Sequence, residues 1–70
     1  MAVNLAYNYA ILNLSTNMCI GVETTSGEVT DDPRYVDIPV YDQEYILKYY
    51  INGAWYEDAA GTIPWTSSLI

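Results

Sequence analysis

Histidine is missing from this chain, and so is phenylalanine. There is one cysteine, Cys19, and there are two basic side chains, Arg34 and Lys48, among 70 residues. Each shortage removes a class of chemistry. Without histidine, Cys19 and the serines (Ser15, Ser26, Ser67, Ser68) lack the usual base, so nucleophilic catalysis is not expected and Cys19 reads as a buried structural thiol. A lone thiol makes neither an internal disulfide nor a structural zinc site. Nine acids against two cations leave a net charge of −7. That balance gives no basic footprint for phosphates and no polybasic segment for anionic lipid. Binding to nucleic acid or to a membrane is therefore not expected. No stretch approaches the roughly 18 apolar residues of a membrane span. The opening MAVNLAYNYAILNL carries no positive charge, and Asn4, Asn8 and Asn13 interrupt it, unlike an export signal. The expectation is a soluble chain made in a cytoplasm, where an unpaired thiol is at home.

The acids do not suggest a catalytic pair. Asp31 and Asp32 are adjacent in a loop, and Glu57 and Asp58 lie at a strand end; neither spacing defines a cleft for sugar hydrolysis. GEVTDDP lacks the alternating acids and distant glutamate of a calcium loop. Asn13-Leu14-Ser15 fits the glycosylation pattern by chance, absent an export signal. Four glycines make no phosphate cradle. An enzyme, a cofactor, a metal site and a small-molecule substrate are all outside the expectation.

What the chain does have is apolar surface. Half of it is hydrophobic (51%), with eight tyrosines and two tryptophans. Such residues join an apolar body to a polar tip, and they are enriched where a contact stays partly wet. A chain of this length buries only about 60% of the surface its unfolded form exposes. Scaffolds of this size usually gain stability from disulfides, metals or partner chains. The first two being excluded, partner chains are the expected source, with unaided folding, which many domains of roughly 55–65 residues manage, as the alternative.

The pattern along the chain is that of strands. YAILNLSTNMCIGVET reads as two strands around Ser15-Thr16-Asn17. Strict alternation puts Met18, Ile20 and Val22 on one face. It puts Cys19, Gly21 and Glu23 on the other, facing solvent or a neighbouring chain. TTSGEVTDDPR is a surface loop. YVDIPV is a strand that Pro39 confines to an edge or ends. Tyr41-Asp42-Gln43-Glu44 turns the chain.

In YYINGAWYED, Asn52-Gly53 between apolar runs is the strongest short-range hairpin signal, because a type I′ turn needs two positive φ angles. A two-residue loop fixes the register: Ile51 faces Ala54, Tyr50 faces Trp55, Tyr49 faces Tyr56, and Lys48 faces Glu57. Both faces of this ribbon are largely apolar, so it is expected to be covered on both sides, and by more than its own chain. The last stretch, AAGTIPWTSSLI, has no clear period and ends in apolar residues. It is expected to dock on a neighbour, against the alternative of folding back on its own sheet. The predicted architecture is all-β: an antiparallel sheet of four or five strands from two hairpins (residues 9–58), flanked by arms at 1–8 and 59–70.

YAILNLSTNMCIGVE and the closing KYYINGAWYED resemble small β-rich proteins encoded in the tail-module regions of tailed bacteriophages. The resemblance spans residues 7–58. It implies a component of the virion or an accessory to tail-fibre assembly, and it supplies no catalytic residues. The expected function is a non-enzymatic structural part of the particle, in the tail, fibre attachment or capsid surface. Its expected partners are other virion proteins and copies of itself, with Tyr50, Trp55, Trp65, Leu69 and Ile70 as the contact residues. The alternatives are an assembly factor absent from the mature particle, or an acidic inhibitor that mimics nucleic acid. The scattered carboxylates disfavour the last.

Overall fold

The computed structural model describes residues 6–70. Five antiparallel strands form one sheet: β1 (Tyr7–Asn13), β2 (Met18–Thr25), β3 (Tyr35–Asp37), β4 (Tyr49–Ile51) and β5 (Ala54–Tyr56). Their spatial order is β3-β1-β2-β4-β5. The first hairpin turns where the polar residues predict. Asn17 takes φ 63, and the Asn13 carbonyl accepts from the Thr16 and Asn17 N–H groups. The second hairpin turns at Asn52 (φ 50) and Gly53 (φ 84). The pairs Tyr49–Tyr56, Tyr50–Trp55 and Ile51–Ala54 are those the two-residue loop dictates. β3 is an edge strand that stops two residues short of Pro39.

The faces of β2 differ from the strict alternation. Ile11 pairs with Gly21 and Leu12 with Cys19, so Ile20 has no partner. This is a bulge: one extra residue on β2 that shifts the phase of every side chain beyond it. Cys19 and Val22 therefore share a face, with Ala10 and Leu12. Cys19 is fully buried in the core, not turned to solvent or a neighbour, while Ile20 is 54% exposed. The core cluster of Ala10, Leu12, Cys19, Ile38 and Tyr45 lies on this face. The segment 38–46 covers it. Ile38 N–H donates to the Asn8 carbonyl at 3.0 Å, anchoring the start of that cover.

The opposite face of the β1 end has its own cover. Tyr9 is buried, stacks edge-on against Tyr35 at 5.5 Å, and accepts from the Val29 N–H at 2.8 Å. The loop 26–34 thus closes over Tyr9. Tyr35 in turn donates to Glu23 Oε1 at 2.8 Å.

The proposed boundaries of the arms shift. Residues 1–5 of the expected N-terminal arm lie outside the described residues, but Tyr7 and Asn8 belong to β1, paired with Thr25 and Thr24. The expected C-terminal arm folds back onto its own sheet. Glu57 N–H donates to the Ile63 carbonyl at 2.9 Å, Trp65 N–H donates to the Trp55 carbonyl at 3.0 Å, and Tyr56 bridges to Pro64. The free edge of β5 supplies the reason, since its unpaired backbone groups offer the tail a ladder. Gly61, at φ 71, lies against the other face of the hairpin, where an added Cβ would come within 3.2 Å of Ile51 and 3.8 Å of Tyr56. Both faces of the ribbon are thus covered in good part by this chain itself. The expected Lys48–Glu57 pair is not formed, because the ladder stops at Tyr49 and Tyr56 and the Lys48 ammonium lies over the Trp65 ring at 5.0 Å.

Candidate functional site: an aromatic cleft

The returning tail and the second hairpin enclose an open cleft of about 320 Å³. Tyr45, Trp55, Pro64, Trp65, Ser67 and Ile70 are among its lining residues. Its construction begins at Asp42. That carboxylate caps a single 3-10 turn, Gln43–Tyr45, by accepting from the Glu44 N–H at 2.8 Å. The turn directs Tyr45 into the interior, where its side chain is 2% exposed. Trp55 and Trp65 each meet Tyr45 at a centroid distance of 4.9 Å, with interplanar angles of 69° and 81°. Tyr45 is therefore a buried floor and the two half-buried indoles stand steeply on it. Such edge-to-face contacts set the positive ring edge against the negative face. Tyr50 supports Trp55 from the neighbouring strand at 5.0 Å.

Asp42 also ties the tail to this floor. Ser67, itself buried, donates to Asp42 Oδ2 and accepts from the Leu69 N–H at 3.1 Å. Ser68 adds a bond to Glu44 at 2.7 Å. Asp42 is 5% exposed. Among the described residues the ion pair present is Arg34–Asp32, on the surface. The buried carboxylate is thus satisfied by an O–H and an N–H, not by a cation.

Burial raises the pKa of the Tyr45 phenol, with the nearby Asp42 charge adding to the effect. Burial likewise raises that of the Cys19 thiol, against the partial opposition of its hydrogen bonds. A buried thiol held protonated is a poor nucleophile. Asp58 is shifted the other way. The Thr62 hydroxyl and the Ile63 and Thr62 N–H groups hold its carboxyl below the usual range and fix the loop that carries Gly61.

The structure brings together Trp55, Trp65 and Ile70 of the predicted contact residues as cleft lining, with Tyr50 as support. Leu69 is exposed (59%) but is not part of the lining. Trp65 acts within its own chain, contrary to the expectation that its segment docks elsewhere, whereas Ile70 is 69% exposed at the rim. Tyr45, Asp42 and Ser67 were not predicted as site residues. The available signal was Asp42 followed two residues later by Glu44, a side-chain cap read only as a turn.

A second apolar feature lies at the bulge. Leu47 N–H donates to the carbonyl of Cys19, the residue before the bulged Ile20, at 2.8 Å. Leu47 has φ 77 and is 62% exposed. A branched residue in the left-handed region is strained. On its β4 side β2 is bonded through Cys19, whose N–H donates to the Lys48 carbonyl at 2.8 Å, and beyond it no strand pairs there among the described residues.

Among the described residues, no group of three or more His, Cys, Asp or Glu side chains could hold a metal ion, and no helix is long and apolar enough to cross a membrane. No family model, no curated protein and no solved structure matches this chain.

Proposed function

We propose that this chain is a non-enzymatic structural component of a bacteriophage particle, in the tail, fibre attachment or capsid surface, and that it works through protein–protein contacts. The observation that supports a contact role is the open aromatic cleft. Its rings are fixed by internal packing, so a partner meets Trp55 and Trp65 already ordered, without the entropy cost of immobilising them. Tryptophan and tyrosine in such positions dominate interface energies. The exposed Leu47 and Ile20, near the part of β2 beyond Cys19 that no strand pairs on the β4 side among the described residues, give a second surface suited to strand addition by another subunit. The phage assignment rests on the resemblance of residues 7–58.

Mass spectrometry of purified particles tests the reading. The chain is expected at a copy number stoichiometric with a tail or capsid protein. Its absence from particles, with the chain abundant in infected cells, would leave the assembly-factor alternative instead. Because Trp65 and Ser67 hold the fold, deletion of the tail is a poor test of docking. The paired change Leu69→Ser and Ile70→Ser removes exposed apolar atoms and is expected to lower incorporation with the circular dichroism spectrum unchanged.

A further inference from the structure

The geometry points to a specific occupant for the aromatic cleft: an arginine side chain presented by a partner protein. This inference rests on the contact role proposed above and names the chemistry of the contact.

Three observations converge on a cation. First, the walls are the indoles of Trp55 and Trp65 over the Tyr45 floor. The face of an aromatic ring carries negative potential and attracts cations, tryptophan most strongly. Second, the chain already demonstrates this preference. Lys48, its sole lysine, places its ammonium 5.0 Å from the Trp65 centroid, yet Lys48 is not among the residues lining the cleft. Third, the charge behind the cleft is negative. Ser67 lines the cleft and donates to Asp42, a buried carboxylate with no cationic partner among the described residues. Glu44 adjoins it, bound by Ser68. The whole chain carries −7, and a low-dielectric cleft backed by one sign of charge focuses that field.

The shape then selects among cations. At about 320 Å³ the cleft lies at the small end of ligand pockets, which run about 300–1,000 Å³. It suits one long side chain better than a folded element. A guanidinium is planar, stacks on aromatic faces and is more weakly hydrated than an ammonium, so it enters an apolar cleft at lower desolvation cost. Thr66, a hydroxyl-bearing residue, is exposed in the lining.

The test uses the intact chain. Both tryptophans of the sequence line the cleft, so their indole N–H resonances and fluorescence report on its occupancy directly. The probes are a capped Gly-Gly-Arg-Gly-Gly peptide, the same peptide with neutral citrulline in place of arginine, and a capped proline-rich peptide without charge. The arginine peptide is expected to shift both indole signals saturably, at least about tenfold more tightly than the citrulline peptide, and less tightly as salt rises. Lys48→Met, which removes a like charge outside the cleft, is expected to tighten arginine binding about two- to threefold. Trp55→Leu is expected to abolish it. Should that variant unfold, the citrulline and Lys48→Met arms still decide. Equal binding of arginine and citrulline, tighter binding of the proline-rich peptide, or no indole shift up to the solubility limit would each overturn the inference. Stoichiometric chain in particles together with any of those results would sink the arginine site and leave the structural role standing. A saturable arginine site in a chain absent from particles would do the reverse.

Discussion

The two ends of the sheet bury tyrosine differently. At the β1–β3 end, Tyr9 is sealed from solvent by the loop that carries the chain from β2 across β1 to β3, and its hydroxyl is used internally by Val29. At the β4–β5 end, Tyr45 is sealed just as fully, but by two indoles that are themselves half-exposed and by a tail returning from the chain terminus. The first end is finished within itself. The second is finished in its interior and left open at its surface, which is where a binding cleft can form. The difference follows from what supplies the cover. A loop between two strands of the sheet is anchored by a strand at each end, whereas the tail is held by Trp65, Ser67 and Ser68 and leaves Leu69 and Ile70 exposed.

Removing the floor gives the largest effect. Tyr45→Ala deletes a buried aromatic side chain and is expected to cost about 3–5 kcal/mol. In a domain of this size that approaches the whole stability. Urea denaturation followed by tryptophan fluorescence should show the midpoint collapse, and a midpoint close to wild type would mean the tail does not depend on Tyr45. Gly61→Ala comes next. It puts a side chain at φ 71 and crowds Ile51, at an expected cost of about 1–2 kcal/mol. Amide hydrogen exchange should show Trp65 losing protection before β1 does; uniform loss would contradict a separable tail. At the other end, Tyr9→Phe strands the Val29 N–H and is expected to cost about 1 kcal/mol, with both indole resonances unmoved. Indole shifts in that variant would show that the two ends are coupled.

The smallest effect concerns pH. The folded pKa of Cys19 is raised above its ordinary value of 9.0. As pH rises past that value the unfolded chain releases a proton that the folded chain keeps, so stability falls with rising pH until the folded thiol also ionises. Cys19→Ala is expected to flatten this alkaline slope near its onset. The Tyr45 contribution, from a phenol likewise raised above 10.0, should persist at higher pH. An unchanged slope in the alanine variant would show that the thiol does not report on core burial.

Much of the first hairpin and nearly all of the second were legible, because local chemistry decides them. Asn52-Gly53 permits one tight turn, and a tight turn leaves one register. The sides of β2 were not legible, because alternation assumes every residue pairs and Ile20 does not. Of the candidate site, Trp55 and Ile70 were visible as apolar residues in need of cover. The Tyr45 floor was hidden, since its role depends on Asp42 meeting Ser67 across 25 positions of chain.

By itself, the sequence determined this protein's strand-forming segments and its turns, since these depend on residue type and near neighbours alone. Only the tertiary structure decided which face Cys19 occupies and whether the tail serves its own sheet. Both turn on backbone groups seeking partners across long stretches of chain: a bulge is a compromise between two strands, and a tail docks where an edge is left open.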